Sequence, residues 1–536
     1  MWGEHGRGYR SCFGERFFGK LYPIARQIKE VFDRNNILNP GKICVPFSND
    51  VDKLVAIDGP MRGDLDRTLP IAVRENFKGA LSCNGNGQCF SYQKSSLMCP
   101  SYRYTKNHVN SPKGYSELAR EWLRMLNDQG CNPNVEETQA LTDIPNPIRF
   151  IKRVYNTLNK KDDYSLEYLE HIKTCLSCKS CKSICPAHVN AADLNSRFLS
   201  LYYGRYLRPA MDLLVLNAER FIPLMAKWPK YSNMLVQNKL NAYLCEKLFG
   251  MVDLPKFSDK PLSKLCEENG FKLLSTAKAL KDAPEVLIVT DPFTVAYEAE
   301  GLMMMARVMR SLGYRVALLK PYINGKLMVI RGDRRSFVRY AVKQAARLER
   351  LSRARIDLVG FDPALTICYR DEYVQLLQKM RGNFEVMLPE EWLEKQLGSM
   401  KLKNTLSSLQ ERLHSLKEQD EGFFAPYYLF THCTERALVP KSVTMWQMVM
   451  QSFSLTVIPV PVACCGMAGL HGHMVQNQDE TYKVYEQNWK GELAKRPFEH
   501  CLITGFSCRS QVERMEHKKP VHPLLVLDEL LKRINA

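Results

Sequence analysis

The run Cys175-Leu-Ser-Cys178-Lys-Ser-Cys181-Lys-Ser-Ile-Cys185-Pro186 constrains this chain more than any other stretch of it. Its spacing, C-x2-C-x2-C-x3-C-P, lets closely spaced thiolates wrap one face of a 4Fe-4S cubane while the proline diverts the chain after the last ligand. Zinc sites use two separated CxxC knuckles instead. Cys175, Cys178, Cys181 and Cys185 are therefore expected to ligate iron.

Where two such clusters occur, the fourth cysteine of each run serves the other cluster, so a second run is expected. The candidate is Cys83-Asn-Gly-Asn86-Gly-Gln-Cys89 followed by Cys99-Pro100, with Asn86 standing where a second cysteine belongs. In the crossed arrangement Cys175, Cys178, Cys181 and Cys99 complete one 4Fe-4S cluster, and Cys83, Cys89 and Cys185 leave three thiolates for another. That second site is a 3Fe-4S cluster, a 4Fe-4S cluster with an unusual fourth ligand, or absent. If it is absent, Cys185 takes the place of Cys99.

The chain has 18 cysteines and no basic and apolar leader pattern at its start. Clustered thiols then read as metal ligands or redox groups in a reducing cytoplasm rather than as a disulfide framework. The scattered Cys12, Cys44, Cys131, Cys245, Cys266 and Cys368 read as buried structural thiols. A net charge of +18 suits nucleic acid, an anionic membrane face or an acidic partner. No nucleic-acid motif supports the first, and no stretch approaches the roughly 20 apolar residues of a membrane span. Aromatic and basic residues mixed between Arg197 and Lys227 suit peripheral contact with the inner membrane face, although interior packing is the preferred reading of them.

From residue 284 short apolar runs alternate with helical patterns, the texture of α/β units. Val286–Val289 and Tyr427–Phe430 open two segments that resemble each other, each with a proline-containing middle strand and a late strand running into a loop. Leu402, Leu406, Leu409, Leu413 and Leu416 form the stripe of a helix between them. Cysteines are concentrated in the second segment as Cys433, Cys464-Cys465-Gly466 and Cys508. Adjacent cysteines suit a redox dithiol, a non-cubane cluster or a docking surface for an acceptor.

Two resemblances follow from these residues. Gly3-Glu4-His5-Gly6-Arg7-Gly8, read together with Asn39-Pro40-Gly41-Lys42, resembles the end of the FAD-linked oxidase C-terminal domain of D-lactate, glycolate and D-2-hydroxyglutarate dehydrogenases. The likeness implies that Glu4 and His5 face a flavin and take the substrate's hydroxyl proton, with Gly3, Gly6, Asn39 and Lys42 beside the cofactor. Cys433, Cys464-Cys465-Gly466 and Cys508 resemble the CCG module of heterodisulfide-reductase-like proteins, although Cys508-Arg-Ser-Gln511 lacks that module's downstream CxxC.

The order of these parts resembles the C-terminal half of bacterial fusion dehydrogenases with FAD-binding and iron–sulfur domains. The expected fold is α/β plus α, a helical ferredoxin-type domain followed by two α/β CCG-type repeats, the first lacking most cysteines. The expected divisions are an oxidase tail at residues 1–46, a linker at 47–75, the ferredoxin-type domain at 76–205 and a helical connector at 206–283. A degenerate repeat at 284–385, a connecting helix at 386–425 and the cysteine-rich repeat at 426–536 follow.

The resemblance implies the electron-transfer part of a FAD-dependent D-2-hydroxy-acid dehydrogenase that needs an FAD-binding half beyond this chain. Its electrons would pass to a quinone or another acceptor, and a homo-oligomer is expected. The alternatives are the cluster subunit of an anaerobic glycerol-3-phosphate or glycolate dehydrogenase, a non-enzymatic electron carrier and a split-gene fragment.

Overall fold

The apolar runs beyond residue 270 become short parallel strands, most of them buried on both faces. A computed structural model describes residues 10–49, 53–56, 64–93, 96–142, 147–160 and 163–535. It divides the chain into two compact units, residues 1–70 and 71–536.

In the first unit Pro23 starts helix α1 (Tyr22–Phe32), where a missing N–H costs nothing. Arg26 on α1 donates through Nε to the Val45 carbonyl at 3.0 Å and through Nη2 to that of Pro46 at 3.2 Å. The Ile43 N–H donates to Ser11 Oγ at 2.7 Å. The Asp33 carboxylate accepts the N–H groups of Ile37 and Leu38, both at 2.8 Å, and closes the turn after the helix.

The first part of the second unit is helical and includes α2 (Pro100–Thr105), α3 (Pro112–Asp128), α4 (Ser180–Ile184) and α5 (Ala191–Arg205). Trp122 of α3 meets Phe198 of α5 edge-on at 5.0 Å, and its indole N–H donates to Ser165 at 3.1 Å. Three helices follow in succession, α6 (Ala210–Met225), α7 (Pro229–Gln237) and α8 (Lys239–Phe249).

The first sheet contains β1 (Leu273–Leu274), β2 (Val286–Val289), β3 (Val316–Leu319) and β4 (Asp357–Gly360), all parallel, in the order β1-β3-β2-β4. Helices α9 (Ala299–Ser311) and α10 (Arg334–Arg353) lie between its strands in sequence, and α11 (Met400–Gln419) follows it. The second sheet has β5 (Tyr427–Phe430), β6 (Val457–Pro459) and β7 (Cys501–Ile503), also parallel, in the order β6-β5-β7. Helix α12 (Cys433–Leu438) follows β5, while α13 (Phe506–Glu516) and α14 (Pro523–Asn535) follow β7.

Alternation along each strand sorts the side chains between two layers. Leu287 and Val289 pack with Phe337, Ala341 and Ala345 of α10. Val286 and Ile288 face the other way, into a core that also holds Leu429, Val457 and Leu502 of the second sheet. Leu402, Leu409 and Leu413 of α11 fill this shared core, together with α9 and α14.

This arrangement corrects the expected fold class. Among the described residues the chain is mixed α/β with two small parallel sheets, and no ferredoxin-type domain or pair of CCG-type repeats is seen as such. The sheets differ in strand number and are joined by one apolar core, because the leucine stripe of α11 is buried between them. Among the described residues no helix is long and apolar enough to cross a membrane.

The shared core has an ionic clasp. Arg307 on α9 donates through Nε to Asp528 Oδ1 of α14 at 3.0 Å, and Nη2 reaches Oδ2 at 2.5 Å. Asp528 is buried, so Asp528→Ala should leave a half-buried guanidinium without its fork partner and lower unfolding free energy by about 2–3 kcal/mol. Urea denaturation checks this, and a change under about 0.5 kcal/mol would show the pair to be ornamental.

Candidate functional site

In parallel sheets ligands bind outside the carboxyl ends of the strands. Here the carboxyl ends of both sheets lead to one cavity of about 760 Å³, a size suited to an organic ligand. From the second sheet, β5 delivers His432 and Cys433, the loop after β6 delivers Cys464 and Cys465, and β7 leads to Phe506 and Ser507. From the first sheet come Phe293 after β2, Lys326 after β3 and Asp362 after β4. Cys175 and Cys178 of the four-cysteine run line the same cavity.

The thiols of the second sheet form a connected row. Cys464 is hydrogen-bonded to Cys433 and to Cys465, and Cys465 in turn to Cys508. Gly466 adds its N–H to Cys464 Sγ at 3.5 Å. These contacts, Cys433 first, hold the Cys464 thiol well below the usual thiol range despite burial, whereas Cys433 and Cys465 are pushed well above it. Cys464 is thus the thiol of the row whose deprotonation its neighbours favour, and the deprotonated form is the nucleophilic and metal-binding one. Gly466 has φ +91°, and a Cβ there would lie 2.8 Å from the Thr481 carbonyl oxygen, which explains the glycine after the cysteine pair.

His432 is fixed by four contacts. Its Nδ1 accepts the Thr434 N–H at 3.2 Å, its backbone N–H is shared between Thr504 Oγ1 at 3.0 Å and Glu435 at 3.3 Å, and Nε2 lies 3.3 Å from Ser507 Oγ. Burial lowers the imidazole's pKa and favours the neutral ring. Gly505 permits this close approach, since a Cβ there would lie 2.5 Å from His432 Cδ2.

The four-cysteine run abuts this row. Cys178 packs with Cys433 and Cys464 around Leu176 and Val484. Lys179, in the left-handed conformation at φ 62°, is buried and pairs with Asp371 and, at 2.6 Å, with Glu372, while Lys326 also pairs with Glu372. Burial would raise the Glu372 pKa, but Lys179 and Lys326 hold it down to about 2. This ionic cluster ties the run to the start of the helix at Glu372–Leu377, beyond β4.

The predicted ligands separate into groups. Cys99 lies close enough to Cys178, Cys175 and Cys181 for their charges to act on it; burial first, then those charges, push its thiol well up. Burial also raises Cys175 and Cys178, and takes Cys181 to about 12. Cys185 is buried beside Cys181, while Cys83 and Cys89 are buried near each other. The first four thiols share one region, yet among the described residues no group of three or more His, Cys, Asp or Glu is drawn up to hold a metal ion. Four neighbouring thiols are a soft donor set, and a cation bound among them would offset the repulsion that opposes their deprotonation.

Arg103 was not singled out in the sequence. It is buried, interacts with the charges of Cys99, Cys178 and Cys464, and leaves Nε and Nη2 without a hydrogen-bond partner. Its only sequence signal is its place four residues after Cys99. His432 stands next to Cys433, but Lys326 carries no signal at all. Glu4, His5, Gly3 and Gly6 lie outside the described residues, and Asn39 and Lys42 sit on an exposed turn of the first unit.

Residues 1–43 match the C-terminal domain of FAD linked oxidases. The chain is 40% identical over 541 residues to the D-2-hydroxyglutarate dehydrogenase of Haemophilus influenzae, covering 99% of this chain and 52% of that protein. The enzymes of the same name from Pantoea ananatis and Escherichia coli are 40% and 39% identical, over 99% of this chain and 51% of theirs. The chain spans about half the length of the curated relatives it matches. No solved structure matches it. The expected kinship with flavin-linked oxidoreductases acting on 2-hydroxy acids accords with these relatives, whereas an iron–sulfur centre is not among the things the likeness carries.

Proposed function

We propose that this chain is the electron-exit portion of a FAD-dependent D-2-hydroxyglutarate dehydrogenase, working with the FAD-binding portion that its relatives' greater length implies. The reading rests on one observation. In a chain with these relatives, Cys178 of the four-cysteine run lies against the Cys433, Cys464, Cys465 and Cys508 row at a single cavity.

A 4Fe-4S cluster on Cys99, Cys175, Cys178 and Cys181 would carry single electrons, and FAD would accept hydride from the substrate's C2 carbon. Glu4 and His5 would remove the hydroxyl proton, and Asn39, Lys42, Gly3 and Gly6 would lie beside the flavin. Cys185, Cys83 and Cys89 supply the thiols for a second centre. The acceptor, a quinone or a molecule of like size, would occupy the cavity. There Lys326, paired with Glu372, and Arg331, paired with Asp212, supply N–H donors that an acceptor's oxygens could meet.

Anaerobically prepared chain is expected to hold about four irons, or seven to eight if the second centre fills, with broad visible absorption. It should carry no stoichiometric flavin. Adding the FAD-binding portion in trans should restore flavin and turnover of D-2-hydroxyglutarate. Stoichiometric zinc without visible absorption would overturn the cluster, and unaided turnover by this chain would overturn the division of labour.

A further inference from the structure

Helix α8 has no buried side chain among the described residues, although it carries Leu240, Tyr243, Leu244, Leu248 and Phe249. An 11-residue helix in water is marginal without a packed face. Its ends are well made: Asn238 accepts the N–H of Leu240 at 2.9 Å and of Asn241 at 3.3 Å, and Gly250 closes it in the left-handed conformation. The helix is therefore specified, and its apolar face lacks a cover.

The same exposed character continues through the two preceding helices. α6 buries Val215, Leu216, Ala218 and Ile222 but leaves Phe221 and Leu224 outside. α7 is pinned by Asn233, which exchanges hydrogen bonds with Phe257 at 3.0 and 2.8 Å. Beside it Trp228 is 62% and Tyr231 68% exposed. Between residues 220 and 249 the charged residues are Arg220, Lys227, Lys230, Lys239 and Lys247 against Glu246 alone. Protein interfaces deplete lysine, whereas an anionic lipid surface rewards lysines interleaved with aromatic and aliphatic side chains.

One end of this surface is the mouth of the thiol cavity. Leu248 is 70% exposed and also lines the cavity, as do the exposed Phe249 and Val475. We propose that α6, α7 and α8 dock this chain on an anionic bilayer, with the cavity opening at the lipid surface. Given the function proposed above, the acceptor that reaches Cys464 is then a lipid-dissolved quinone, which takes up two electrons and two protons to become a quinol.

The test is sedimentation of the purified chain with phosphatidylglycerol–phosphatidylcholine vesicles. Binding is expected, with at least a tenfold loss of affinity on Trp228→Glu/Leu240→Glu and a similar loss on Lys227→Gln/Lys230→Gln/Lys239→Gln. Each variant should keep the circular dichroism and iron content of the parent. Three results would overturn the proposal: no vesicle binding, binding unaffected by either variant, or binding abolished once the FAD-binding portion is added. An iron-free chain that still binds vesicles would separate failure of the electron-transfer reading from failure of the docking surface.

Discussion

Cys178→Ser is expected to lower acceptor reduction by the reassembled enzyme at least ~100-fold while leaving flavin reduction by D-2-hydroxyglutarate unchanged. Cys178 belongs to the thiol group around Cys99 and also packs against Cys433 and Cys464. A serine hydroxyl is a poor ligand for iron, where soft thiolates are preferred. The substitution removes little volume, so folding should survive. Stopped-flow bleaching of the flavin followed by steady-state reduction of a quinone separates the two halves of the cycle. His5→Ala should show the reverse pattern, with iron retained and flavin no longer reduced. Unaltered quinone reduction by the Cys178 variant would remove this residue from the electron path.

Lys179→Met should destabilise the second unit by about 1–3 kcal/mol, because it strips one of two cations from each of two buried carboxylates. Asp371 would keep Lys182, and Glu372 would keep Lys326. Lys182 is one-third exposed, so Lys182→Met should cost under about 1 kcal/mol. The cluster also sets an acid limit. The Glu372 carboxyl is held down at about 2 in the folded chain, against an ordinary value of 4.5. Its contribution is thus fully present above about pH 4.5 and is lost as pH falls toward 2. Urea midpoints measured between pH 6 and 3 should decline for the parent and decline less for Lys179→Met. Equal slopes would dismiss the pair as a source of acid sensitivity.

Strand positions were legible wherever an apolar run was short and bounded. Val286–Val289 and Tyr427–Phe430 are strands as written, and the leucine stripe from 402 is a helix. Their grouping was not legible. A stripe at helical spacing tells which face is apolar, and it does not tell that Leu402, Leu409 and Leu413 serve two sheets at once. For the site, spacing picked out each cysteine group separately. It could not bring Cys178 against Cys464, because no local rule links residues so far apart in sequence. Lys179 is a bystander in the run until Asp371 and Glu372 come to it from a helix start beyond β4.

The thiol row and the four-cysteine run have a consequence for biosynthesis. About 300 residues separate Cys181 from Cys464, so at roughly 5–20 residues per second the early thiols wait some 15–60 s on the ribosome for their later neighbours. Parallel strands with distant partners form late. During that interval Cys175 and Cys178 stand without the wall that Cys433 and Cys464 later provide, open to oxygen and to stray copper or zinc. The exposure of these thiols on nascent chains therefore grows with translation time, and slow codons between the two segments would lengthen it.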